Sequence, residues 1–329
     1  MGRSPASGRS SRSARPEPPL RGFLNIDKPA GMTSFDVVRA VRRATGVRRV
    51  GHAGTLDPIA TGVLPVAVGE ATKLIDELVG ARKRYRGVIA LGVETDSDDA
   101  AGAEVARRDP RGVTPEALAA ALEGFRGEFM QTPPAFSAVK LAGVPAYRAA
   151  RRGEPHALEP RRVVVHALQV IAVALPQVTL VVECDKGFYM RALARDLGRW
   201  LGCGAHLAAL RRTAVGSFAI ESAVPLDEAV ERLARGGSEG LLQALDVVLS
   251  AWPALILSRA SVGDARQGRE FEPAPAQIRR AGRAGERARG YGPDGQLVAL
   301  FEATAIPGAW HPYRVLAPPP SASVSEAQS

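Results

Sequence analysis

Short apolar runs and amphipathic stretches succeed one another along most of the chain, separated by Gly, Pro and Asp. Phe23 to Asp27 reads as a strand and runs into a turn at Lys28-Pro29-Ala30-Gly31. Thr33 or Ser34 then caps a helix in which Phe35, Val37, Val38 and Val41 recur at helical spacing, with Arg39, Arg42 and Arg43 on the opposite face. Val63 to Val68 is a short apolar strand, and Lys83 to Gly92 alternates around Tyr85, Val88 and Ala90 as another. Thr114-Pro115 opens a helix with proline at its first position, turning Leu118, Leu122 and Phe125 to a core. Tyr147 to Arg152 reads as a short basic helix. From Val163 to Val182 there is no charged residue, a length that could cross a bilayer. Its Val and Ile content and its polar interruptions instead predict two strands joined at Pro176-Gln177.

Tyr189 to Leu201 is amphipathic, with Leu193, Leu197 and Leu201 on one stripe. Leu207 to Ile220 reads as one strand through Arg211-Arg212, and Leu226 to Leu249 as a helical region. After Trp252-Pro253 the pattern becomes short apolar runs broken by Gly, Pro and Arg, as in a small β-rich module ending near Leu316. Strands and helices mix without regular βαβ alternation, so the expected class is α+β. The expected division is a disordered basic tail over 1–21, a large domain over 22–250, the small module over 251–316, and a disordered polar tail over 317–329.

Charge adds a partner. The chain carries a formal +9 and a pI near 10.1, which favours a polyanion and, among polyanions, nucleic acid. Five arginines against Glu17 put +4 in the first 21 residues, so the remainder is itself basic at +5. The tail lacks an apolar segment and does not resemble a secretory signal. Cys184 and Cys203 show no pairing or ligand spacing, and the five histidines show none either. A cytoplasmic protein with no disulfide framework, no metal and no membrane-spanning helix is expected.

The candidate chemistry lies in GHAGTLDPIATGVLPVAVGEATKL, Gly51 to Leu74. One carboxylate, Asp57, sits on a Gly- and Thr-rich loop between His52 and Pro58, directly before the apolar strand. Gly51, Gly54 and Gly62 permit backbone angles or approaches that a side chain would forbid, and Pro58 restricts the residues before it towards extended geometry. No phosphate-loop pattern and no G-x-S-x-G occurs here. The second carboxylate of a glycosidase pair is also missing, because Glu70 stands at a helix start and reads as structural. A single presented aspartate remains, with basic and aromatic residues elsewhere that could converge on it.

The same segment resembles the catalytic motif of the TruB family of tRNA pseudouridine synthases. LNIDKPAGMTS (Leu24 to Ser34), KRYRGVIALGVETDSDDAAG (Lys83 to Gly102), QTPPAFSAVK (Gln131 to Lys140), CDKGFYMRALARDLG (Cys184 to Gly198) and HLAALRRTAVGSF (His206 to Phe218) resemble further family blocks in the family's order. LSRASVGDARQGREF (Leu257 to Phe271) resembles the carboxy-terminal PUA-like RNA-binding module of bacterial members. The resemblance implies a pseudouridine synthase fold, with a central mixed, largely antiparallel sheet flanked by helices and loops. It implies isomerisation of uridine 55 in the T-loop of tRNA by base flipping, without cofactor or metal. Asp57 corresponds to the catalytic aspartate and Tyr85 to the tyrosine that stacks on the target base. Arg191 corresponds to the arginine paired with the aspartate, Tyr189 to a pocket tyrosine and Leu210 to a pocket-wall leucine. His52 corresponds to a histidine that contacts the RNA loop, and Lys28 to a residue that supports the pocket wall or meets phosphate. Without the resemblance, Tyr85 would read as core and Arg191 and Tyr189 as helix surface. The implied partner is the tRNA T-arm, met by a monomer with no obligate protein partner. Ala53, where many relatives carry Thr, and Phe188-Tyr189-Met190, where Thr-Tyr-Ile or Thr-Tyr-Val is common, depart from the pattern without removing a catalytic group.

Overall fold

A computed structural model describes residues 20–136, 140–141, 144–145, 158–270 and 283–316. Its framework is an eleven-stranded sheet. Along its main path the order is Val224–Pro225, Gly22–Lys28, Thr61–Val68, Ala205–Val215, Lys83–Leu91, Gln177–Cys184, Arg161–Ala174 and Gly127–Gln131. Gly22–Lys28 runs parallel to Val224–Pro225, and Ala205–Val215 parallel to Thr61–Val68, while the other pairings on this path are antiparallel. The sheet is therefore mixed and largely antiparallel, and the class is α+β.

Two groups of helices cover it. Val37, Val38 and Val41 of helix Ser34–Thr45 are buried with Leu24, Ile26, Leu64 and Val66 of the sheet and Ala229 of helix Leu226–Ala234. Leu193, Ala194 and Leu197 of helix Met190–Trp200 pack with Ile89, Val178, Leu180 and Val182, joined by Leu118 and Leu122 of helix Pro115–Glu123. The cleft opens between these two clusters, and Tyr85 and Leu210 touch both.

Several elements differ from the sequence pattern. Phe35 is 55% exposed although its spacing matches the apolar stripe of its helix. In Lys83–Leu91 the buried face is Lys83, Gly87, Ile89 and Leu91, so Val88 and Ala90 lie on the more open side. The run Leu207 to Ile220 is two strands, because Gly216-Ser217 turn the chain back and Val215 pairs with Phe218. Leu226 to Leu249 holds an α-helix, Leu226–Ala234, a short strand, Leu242–Gln243, and a 3-10 helix, Leu245–Leu249. Gly236, Gly237 and Gly240 interrupt what would otherwise continue. The uncharged stretch does form two strands meeting at Pro176-Gln177. Among the described residues no helix is long and apolar enough to cross a membrane. The basic helix expected over Tyr147 to Arg152 and the tails before residue 20 and after residue 316 lie outside the described residues.

A second, four-stranded sheet is formed by Ala254–Ile256, Arg287–Tyr291, Leu297–Ala303 and Trp310–Val315, with helix Arg259–Arg266 beside it. Leu297, Leu300 and Leu316 pack into one cluster with Phe23, Leu74, Leu78 and Phe218 of the larger unit. Lys73 Nζ donates to the Val315 carbonyl at 2.9 Å, and the Tyr291 hydroxyl donates to Asp246 at 2.5 Å. Glu70 accepts from Arg49 and Lys73, a structural use of that carboxylate.

Candidate active site

The loop bearing Asp57 is fixed at both ends. His52 pairs with Val66, the Ala53 amide donates to the Pro65 carbonyl at 3.0 Å, and the Ala60 amide returns to the Asp57 carbonyl at 3.0 Å. The Gly31 amide donates to the Pro58 carbonyl, and Ser34 Oγ both accepts from the Leu56 amide and donates to the Leu56 carbonyl. Glycine is required twice. Gly54 has φ +86, and at Gly62, with φ +101, a Cβ would stand 2.2 Å from the Arg212 carbonyl oxygen. Those constraints hold the Asp57 side chain in the loop that leads into strand Thr61–Val68, 40% exposed.

Arg191 reaches it from the first turn of helix Met190–Trp200. Arg191 Nε lies 2.9 Å from Asp57 Oδ2 and 3.7 Å from Asp99 Oδ2, while its terminal nitrogens donate to the Ser97 carbonyl at 3.1 Å and the Phe136 carbonyl at 2.9 Å. A guanidinium 5% exposed has lost most of its water, and these oxygens replace it. Asp99 is itself fixed, accepting from Ser97 Oγ at 2.6 Å and from the Ala101 amide at 3.0 Å. Arg195, one turn along the helix, meets Asp98 at 3.1 Å, and burial pushes the Asp98 carboxyl up. Asp57 is thus the solvent-facing end of a charge array whose other members are buried or half-buried.

The cleft in front of Asp57 holds about 250 Å³, at the small end for a ligand site. Its walls include Tyr85, Tyr189, Leu210, Lys83 and Arg212. Burial raises the Tyr85 and Tyr189 phenols, so both stay protonated near neutrality. Tyr189 is located by its backbone, whose amide donates to Gln131 Oε1 at 2.9 Å and whose carbonyl accepts from Gln131 Nε2 at 3.1 Å.

Five of the seven residues singled out from sequence line one cleft: Asp57, Tyr85, Tyr189, Arg191 and Leu210. Lys28 and His52 do not. Lys28 is fully buried, and its ammonium donates to the carbonyls of Pro29 at 2.8 Å, Met32 at 2.7 Å and Pro58 at 3.5 Å. That geometry leaves no contact for phosphate. Lys28 instead ties the first turn to the Asp57 loop, and burial lowers its pKa to about 8. His52 lies on the strand Val50–His52, half-buried, with Nδ1 enclosed and without a hydrogen-bond partner among the described residues. Its pKa falls below the usual histidine value through burial and the nearby Arg212.

Sequence reasoning missed Arg212, Asp99 and Lys83. Arg212 is 1% exposed and donates to the Val63 carbonyl at 2.8 Å and the Gly54 carbonyl at 3.0 Å, so it splints the Asp57 loop to the neighbouring strand. Alternation along Ala205–Val215 carried a signal, because one of two adjacent arginines in a strand must point inward. Asp99 sits in a run of acids that gives no cue to which one is buried. Among the described residues no group of three or more His, Cys, Asp or Glu could hold a metal ion. Cys184 and Cys203 are free and buried.

Residues 42–190 match the family model described as TruB family pseudouridylate synthase (N terminal domain), and residues 191–250 match that of the tRNA pseudouridylate synthase B C-terminal domain. The chain is 49% identical over 217 residues to the tRNA pseudouridine synthase B of Geotalea uraniireducens (strain Rf4), covering 66% of this chain and 70% of that one. It is 42% identical over 305 residues to the tRNA pseudouridine synthase B of Ralstonia nicotianae, covering 92% and 94%. Among solved structures, an archaeal box H/ACA sRNP Nop10-Cbf5 complex matches with a TM-score of 0.67 at 25% identity, covering 90% of this chain and 86% of that chain.

Proposed function

The chain belongs to the TruB family of pseudouridylate synthases, and from that membership we propose that it converts uridine 55 in the T-loop of tRNA to pseudouridine with Asp57 as its catalytic group. The observation that carries this reading is the Asp57–Arg191 pair, 2.9 Å apart, with the carboxylate turned into a cleft walled by Tyr85, Tyr189 and Leu210.

Forming pseudouridine breaks the C1′–N1 bond, turns the base, and joins C1′ to C5. N1 gains a proton and C5 loses one, so neither electrons nor a further reactant are needed. Asp57 acts either as nucleophile on the nucleoside or as the base that takes a sugar proton to give a glycal. Both routes need an ionised carboxylate beside the ribose, and Arg191, paired with it at 2.9 Å, holds it oriented. A uridine within a folded loop reaches the cleft only by leaving its stack, at a cost of a few kcal/mol. Stacking on Tyr85 returns roughly 1–3 kcal/mol of that. Arg212 and Lys28 act one step back, by fixing the loop that carries Asp57.

Residues 22–250 form the catalytic domain in this reading, and residues 251–316 a PUA-like module that extends the RNA contact. The enzyme works as a cytoplasmic monomer without a guide RNA or an obligate protein partner. The test is the purified chain alone with a T-arm transcript carrying tritium at uridine C5. Release of tritium, and pseudouridine mapped to a single T-loop site, are expected. No release without added RNA or protein factors would favour a guide-dependent enzyme.

A further inference from the structure

Helix Ser34–Thr45 carries a second feature that the chemistry above does not use. Its inward face is accounted for by Val37, Val38 and Val41. Phe35, Arg39 and Arg43 fall at intervals of four residues, so they line up along one outer edge at steps of about 6 Å. Phe35 is 55% exposed, and the Arg39 guanidinium lies over its ring at 5.8 Å from the centroid. Arg39 also pairs with Asp36, the one acid of the helix, which is occupied in the capping box with Thr33. Arg43 is exposed with no carboxylate partner among the described residues, and the exposed Arg48 beyond the helix has none either.

The position of this edge is what gives it meaning, since a single exposed phenylalanine is ordinary. Ser34 is bonded to Leu56 in both directions, so Phe35 and Asp57 each stand one residue from the same junction. The aromatic end of the edge is therefore nearest the cleft, and the free cations lie progressively farther away. An exposed ring next to cations is the arrangement with which proteins hold single-stranded nucleic acid, by stacking bases and neutralising phosphates.

We propose that Phe35, Arg39 and Arg43 form a track for the RNA strand leading away from the everted uridine, with Phe35 stacking on an unpaired base and Arg43 meeting the backbone. This rests on the RNA-modifying function proposed above. The track is a binding element: it makes no contact with the reacting atoms.

The test measures T-arm RNA affinity, KM and kcat for Phe35→Ala, Phe35→Trp and Arg43→Ala in the full chain. Phe35→Ala should weaken affinity by about fivefold or more and raise KM while leaving kcat little changed. Phe35→Trp should restore affinity. Arg43→Ala should reduce the slope of log affinity against log salt by roughly 0.7–0.9. Wild-type affinity in Phe35→Ala, or a Phe35→Trp variant no tighter than Phe35→Ala, would overturn the track. A wild-type chain that releases no tritium removes the functional reading itself. A wild-type chain that releases it, with Phe35→Ala binding normally, removes only the track.

Discussion

In the cleft, Arg191 is 5% exposed and its nitrogens are all directed at oxygens of Asp57, Asp99, Ser97 and Phe136. At the seam between the two sheets, Arg287 is 46% exposed in its side chain, lies over the rings of Trp252 and Tyr313, and meets Glu77 and Glu302 only at 3.4 and 3.8 Å. The residue types are alike, but the surroundings are not. Under the seam, Leu297, Leu300 and Leu316 provide an apolar contact that would persist without the charges. The cleft has apolar walls too, Leu56, Phe188, Met190 and Leu210 among them, but Arg191 is held by oxygens, and its burial is repaid only through those polar partners. Charge at the seam trims a hydrophobic join, whereas charge in the cleft sets the position of one carboxylate. Substitutions should therefore separate, with the cleft governing turnover and the seam governing stability.

The largest effect should come from Asp57→Asn. Turnover on a T-arm transcript should fall by at least ~10²–10⁴-fold, while the thermal midpoint and tRNA affinity stay near wild type. A variant that instead loses RNA binding would make Asp57 a structural residue and erase the contrast. At the seam, Leu300→Ala should lower unfolding free energy by about 2–5 kcal/mol in denaturant titrations, with kcat at low temperature largely preserved. A fall in kcat equal to that in the cleft variants would mean that the seam also sets the site. Arg191→Lys keeps the charge but cannot reproduce the guanidinium fork. A loss of about 10²-fold in kcat is expected, and a stability change much smaller than that of Leu300→Ala would sharpen the division.

The pH dependence of stability gives the smallest effect. Burial lowers Lys28 and Lys83 to about 8 from an ordinary 10.5. Between those values the folded chain has released lysine protons that the unfolded chain still holds, so the contribution of these two groups grows as pH rises from about 8 towards 10.5 and is lost as pH falls back across that window. Denaturant midpoints should increase from pH about 8 to about 9 in the wild type, before the buried Cys184 thiol, pushed up to about 12, begins to oppose the lysines. The rise should be smaller in Lys28→Met, and an equal rise there would exclude Lys28 as its source.

The strands and helices were readable from alternation, caps and turn residues wherever one face met a core, as in Phe23 to Asp27, Thr114-Pro115 and the pair meeting at Pro176-Gln177. The pattern failed where a short turn broke a run, as at Gly216-Ser217, and where Phe35 kept helical spacing yet faced outward. Periodicity records which residues could be buried, whereas packing decides which are. In the site, Asp57 stood out because glycines and a proline surround it in the chain. Arg191 and Tyr85 become neighbours only through the fold, so the resemblance to family blocks, and not their spacing, marked them. Lys28 reads from the resemblance as support for the pocket wall or a contact to phosphate, and the support is what its bonds provide. Its burial under the carbonyls of Pro29, Met32 and Pro58 depends on a turn whose closure no local pattern records.

The most direct measurement is a structure of the chain with a T-arm RNA bound, examined at the target nucleotide. An everted uridine should occupy the cleft with its base against the Tyr85 ring and its ribose within about 3.5 Å of the Asp57 carboxylate. A uridine still stacked within its loop, with the cleft vacant and Asp57 facing bulk solvent, would contradict the assignment of this site.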